Sequence, residues 1–171
     1  MYEEGFVRKA IRIGALGALC MFAGTQANAE ESMMVTLKRL SLPTALSMAQ
    51  AAVAACQKEG IQIGVTVVDR NGIPQVVLRD TVAPPITLPI SFGKAKASAM
   101  FGAAGSQLID RANTPVGRAD GMVISAGSVP IEVGGHLLGA IGVSGAPSGE
   151  TDEKCAKAGV DAVQEDLEMA E

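Results

Sequence analysis

The chain has 171 residues, 48% apolar and 19% charged, a composition that excludes a disordered, collagen-like or coiled-coil protein and suits one globular domain. Its net charge is −4 and only 3% of its residues are aromatic, so it has neither the basic footprint nor the stacking platforms of a nucleic-acid binder. Beyond residue 29 the aromatic residues are Phe92 and Phe101 alone.

The first stretch reads as an export signal. Arg8, Lys9 and Arg12 form a basic start, and Ile13 to Gly24 is an apolar run too short to cross a bilayer. Ala27-Asn28-Ala29 is a small-x-small cleavage site. Leu19, before Cys20, is bulky where lipoprotein signals carry a small residue, so no stable membrane anchor is expected. The expected division is a signal peptide over residues 1–29 and one domain over 30–171, periplasmic or secreted. Cys56 and Cys155 then meet an oxidising compartment.

Ser41-Leu42-Pro43 opens a helix as an N-cap followed by a first-turn proline. Leu42, Ala45, Leu46, Ala49, Val53 and Cys56 recur at helical spacing, and Gly60 closes the segment. Ile61, Ile63, Val65 and Val67 alternate as a strand does. Asp69-Arg70-Asn71-Gly72 is a turn signal, and Ile73 to Arg79 is the returning strand. Pro84, Pro85 and Pro89 predict a loop from Asp80 to Pro89, followed by a helix over Ile90 to Phe101.

Gln107 to Arg111 predicts a short helical turn, Asn113 to Asp120 a loop and Met122 to Ser125 a short strand. Val129 to Val133 and His136 to Ser144 flank Gly134-Gly135 as a second hairpin. Thr151 is placed as the cap of a last helix, whose buried stripe is Cys155, Ala156, Gly159, Val160, Val163 and Leu167. Asp152 and Glu153 lie favourably near its positive end. Hairpins imply antiparallel pairing. The expected architecture is a two-layer α+β domain of profilin or PAS-like type, with a five-stranded antiparallel sheet and helices at both ends.

Catalytic signals are sparse. His136 is the single histidine of the chain, sits beside a turn, and has no relay or zinc-ligand spacing around it. It reads as a solvated residue flanking the turn. The glycines of Gly139-Ala140-Ile141-Gly142-Val143-Ser144-Gly145 lie in a strand and lack the lysine of a P-loop, so no nucleotide cofactor is expected. Gly139 and Gly142 point instead to close approach of backbone or ligand, and Gly159 to tight packing of the last helix. Cys56 and Cys155 both fall on buried stripes, as a disulfide or as two thiols. Lys94 and Lys96 point to different faces of one helix, Lys96 to solvent.

Several segments resemble the GlcG/HbpS-like haem-binding (haem-degrading) family of bacterial proteins, over about Leu42 to Leu167. The most specific is GAIGVSGAPSGETDEKCAKAG, Gly139 to Gly159. VVDRNGIPQVVLRD (Val67 to Asp80), PITLPISFGKAKASA (Pro85 to Ala99) and VPIEVGGHLLGAIG (Val129 to Gly142) are similar to its other elements. The resemblance implies a profilin-like subunit, assembly into homo-oligomers, haem or iron binding, and in some members slow haem breakdown. Many relatives carry a histidine in the loop before the second helix, where Ile86 stands here. Ala126-Gly127-Ser128 likewise replaces a Gly-rich segment of the pattern. The polar residues expected nearest a ligand are Arg79, Thr87 and Lys94, because the loop and the second helix bracket them. Arg79 or Lys94 would meet the propionates of a haem resting on aliphatic residues and Phe92 or Phe101, and the metal ligand is left open. The other reading is an iron-free module for a small molecule such as a hydroxy acid, suggested by the family's link to glycolate-utilisation genes.

Overall fold

The computed structural model describes residues 33–171, so the segment read as a signal peptide lies outside the described residues. Ser41 opens α1 (Leu42–Lys58): its hydroxyl accepts from the Thr44 amide, and Pro43 stands in the first turn, where its missing N–H costs nothing. Two strands follow, β1 (Gly64–Asp69) and β2 (Pro74–Arg79), around the Asp69–Gly72 turn. α2 (Thr87–Phe101) precedes two short 3-10 segments, Gly105–Arg111 and Val116–Arg118. The second hairpin is β3 (Ser128–Val133) and β4 (His136–Ser144), with Gly134 and Gly135 both at positive φ in its turn. α3 (Gly149–Asp161) and α4 (Gln164–Met169) close the chain, which from Thr36 onward forms a single unit.

The sheet has four antiparallel strands in the order β2-β1-β4-β3, not the five expected. Met122 to Ser125 forms no strand. The Val123 amide instead donates to the Gly93 carbonyl of α2 at 3.2 Å, and its side chain fills the space above that glycine. The apolar run therefore packs against a helix.

The layering also differs from expectation. Val65, Val67, Ile141 and Val143 face α1 and α3 in the main core, which also takes Met48, Ala52, Ala156 and Val160. The opposite sheet face carries α2 through Val68, Ala140, Ala95 and Ala99. The sheet thus lies between helices on both sides. The alternation in β1 shows one greasy face, but the other face is small rather than polar. A side chain on Gly142 would stand 2.2 Å from the Ser91 carbonyl, and one on Gly64 2.5 Å from the Thr87 hydroxyl. The two glycines let α2 settle onto the strands.

Smaller differences have local causes. α2 starts at Thr87, since Pro89 falls in its first turn and that position needs no donor. Ser148, not Thr151, caps α3, its hydroxyl accepting from the Thr151 amide. The last helix breaks at Ala162–Val163 into two pieces. Leu138 has no partner in β3, and this bulge turns it into the main core. Cys56 and Cys155 form a disulfide, with Cα atoms 5.6 Å apart, joining the end of α1 to the middle of α3.

Candidate functional site

Arg79 and Thr87 meet where β1 begins. Arg79 pairs with Gly64 in the ladder, and Thr87 packs directly on Gly64. Both side chains hold the loop between them: the Arg79 guanidinium donates to the Ala83 carbonyl, and the Thr87 hydroxyl to the Pro84 carbonyl at 2.8 Å. Thr87 is buried, which removes it from any ligand-facing surface. Arg79 is exposed at the sheet edge and keeps further N–H groups available. Val77, two residues earlier on the same strand face, is exposed, and so is Ile86 ahead of Thr87. Phe92 is half-buried on α2 against Val68. Exposed Val77 and Ile86 and the Arg79 side chain thus lie around the start of α2, while Phe92 packs further along the helix on the small cluster of Val68, Ala95, Ala99 and Ala140.

Lys94 does not join these residues. It is 4% exposed, and its ammonium lies 2.8 Å from Asp152 Oδ2 and 3.2 Å from the Val143 carbonyl. Asp152 Oδ1 accepts from the Ala146 amide. The pair crosses from α2 on one face of the sheet to α3 on the other, beside Gly127, whose φ of +121° excludes a side chain that would strike the ammonium. Burial pushes the Asp152 carboxyl above its ordinary range, against the bonds from Lys94 and the Ala146 amide. The sequence places Asp152 only as a charge near the helix start. Glu150 fills that role, its carboxyl held below the ordinary range by backbone and Ser148 hydrogen bonds. Glu153 instead accepts from the amides of Ser106 and Gly127, fastening the segment before β3. No spacing in the sequence joins Lys94 to Asp152, since they lie 58 positions apart.

His136 stands at the opposite end of the sheet from Arg79, as the pairings Asp69–Gly139 and Gly64–Ser144 fix. It is exposed, as expected of a residue beside a turn. It also lines a cleft of about 390 Å³ with Thr36, Lys38, Arg70, Gly135 and Leu137, a neighbourhood the sequence does not announce. A second depression, about 250 Å³, lies between α1 and the edge of β2, lined by Gln50, Val53, Gln57, Leu78 and Arg79. Among the described residues no three His, Cys, Asp or Glu side chains are grouped to hold a metal ion.

The fold defines an α+β domain with its antiparallel sheet held between helices. Residues 40–161 match the family model described as haem degrading protein HbpS-like, and the chain belongs to that family. No curated protein matches it. Among solved structures it is similar to a double Glu-to-Asp variant of HbpS from Streptomyces reticuli, at 31% identity and a TM-score of 0.74, over 91% of this chain and 99% of that one. A second HbpS crystal structure matches at 34% identity and a TM-score of 0.73, over 77% and 94%. The haem complex of PduOC shares the fold at 23% identity and a TM-score of 0.67, over 73% and 95%.

Proposed function

We propose that this is an exported haem- or tetrapyrrole-binding protein that works as a homo-oligomer. The observation that carries the reading within the family is the exposure of Val77 and Ile86 around the start of α2 with Arg79 at the sheet edge, which we take as an apolar shelf with a cation at its rim. A flat macrocycle with carboxylate arms asks for such a surface, apolar in the middle and cationic at the rim. A bound haem would supply the iron chemistry. The chain's own residues would cover one face of the ring and hold a propionate through Arg79. Lys94, engaged by Asp152, takes no part.

One observation favours the iron-free alternative. The single imidazole of the chain lies at the far end of the sheet from Arg79, so no imidazole of the same subunit stands beside the shelf. A haemin titration followed at the Soret band separates the two readings. The unaltered protein should shift the band, Arg79→Ala should weaken binding about ten- to a hundredfold for one lost charge-assisted bond, and His136→Ala should bind as before. Light scattering on the same sample should give more than two subunits' mass. A spectrum of free haemin throughout means an iron-free module, and loss of binding in His136→Ala alone moves the site to the other end.

A further inference from the structure

The cleft around His136 is assembled by three separate parts of the chain. The Asp69–Gly72 turn brings Arg70, the Gly134-Gly135 hairpin brings His136, and the segment entering α1 brings Thr36 and Lys38. Both turns lie at one end of the sheet, because β4 starts where β1 finishes. The acid on the same turn as Arg70 is engaged elsewhere. Asp69 is buried and occupied: it accepts from the amides of Asn71 and Ile73 and is paired with Arg39 at 3.1 Å. Arg70 makes no ion pair among the described residues.

A second observation points to what the cleft takes. The carboxylate of Glu171 lines the neighbouring depression, which shares Lys38 with the cleft, and lies 3.2 Å from the Lys38 ammonium, so close over Gly134 that a side chain there would overlap it. The chain thus places one carboxylate of its own on Lys38, while Arg70 and His136 line the remaining space. A cleft of about 390 Å³ has room for an organic body beside a charged head group.

We infer that the cleft bounded by Lys38, Arg70 and His136 binds a small organic oxyanion, a carboxylate or a phosphate monoester, with Glu171 competing for Lys38. Arg70 offers the forked donor geometry that suits either group. The site is independent of the shelf on α2, and shares no residue with it.

The test uses the ring signals of His136, which assign themselves in an untagged full chain with one histidine. Inorganic phosphate and succinate are titrated separately at fixed pH, with sodium chloride matched for ionic strength. The proposal expects saturable shifts with either oxyanion. The tighter of the two identifies the head group, and chloride should leave the signals nearly still. Arg70→Gln should weaken binding about tenfold or more, the loss of a charge-assisted contact, and Glu171→Gln should strengthen it severalfold by releasing Lys38. Lys157→Gln, on the far helix, should change nothing. Shifts that follow ionic strength alone, or an Arg70→Gln titration identical to the unaltered one, overturn the proposal. Haemin binding is unaffected by either result.

Discussion

A lysine and an aspartate withdrawn from water are expensive, and Lys94 with Asp152 is tolerable only because each supplies what the other lost. Removing one partner leaves a charge or a polar stump in a closed space. Lys94→Met should lower stability by about 3–5 kcal/mol, and Lys94→Met with Asp152→Leu should recover most of it. Denaturant unfolding of the two variants checks this, and equal losses in both would mean that packing, not charge, dominates. The pH response follows from the raised Asp152 carboxyl. A carboxyl with a higher pKa folded than unfolded contributes stability that is complete below its unfolded value of about 4 and lost as pH rises through its folded value. Asp152 therefore softens acid unfolding. Between pH 7 and 4, a variant carrying Asp152→Asn should lose stability more steeply than the unaltered chain. None of this is legible in sequence: Lys94 reads there as a residue facing a ligand, because burial depends on α2 lying across the sheet, and that placement is decided by glycines on other elements.

At the scale of elements, legibility divides along the same line. α1, both hairpins and the last helix stand in the periodicity, because each buries a stripe of large apolar residues against one neighbour. The second face of the sheet hides from that test, since Gly64, Thr66, Ala140 and Gly142 are small and mark no pattern. Gly142 did point to a close approach, and the partner is α2, whose Ser91 carbonyl and Ala95 amide lie within 3 Å of where a Cβ would stand. Gly159 serves α1 in the same way, lying against the Met48 carbonyl. The strand misplaced at Met122–Ser125 fails for a related reason, being apolar because it covers Gly93. Since the neighbours at Gly142 are backbone, they cannot rotate away. Gly142→Ala should force α2 off the sheet, costing about 1–3 kcal/mol or more, and should expose the amides of α2 to faster hydrogen exchange while α1 and α3 stay protected. Uniform loss of protection across all three helices would show that α2 is not a separable layer.

The whole molecule is tied across its main core by one covalent link. Cys56 and Cys155 join helices 99 positions apart in sequence, so the closed loop takes in every strand of the sheet and α2. Tethering so long a loop restricts the unfolded chain strongly, by roughly 4–5 kcal/mol in a chain-entropy treatment. The helix stripes bring both sulfurs inward, which the sequence shows, but only the packing of α1 on α3 brings their Cα atoms to bonding distance. The link also bears on where the protein works, since such bonds persist in oxidising compartments and are kept reduced in the cytosol. Export and disulfide then become one prediction. Intact-mass measurement of protein from the periplasm or medium should give a chain that begins at Glu30 and is lighter by two hydrogens than its reduced form. Reduction, or Cys56→Ser with Cys155→Ser, should lower the melting temperature by an amount equivalent to about 2–5 kcal/mol. A mature chain that retains Met1 overturns the export reading. Equal melting temperatures with and without reductant, once the mass shows that both thiols are free, remove the disulfide from the forces that hold the domain.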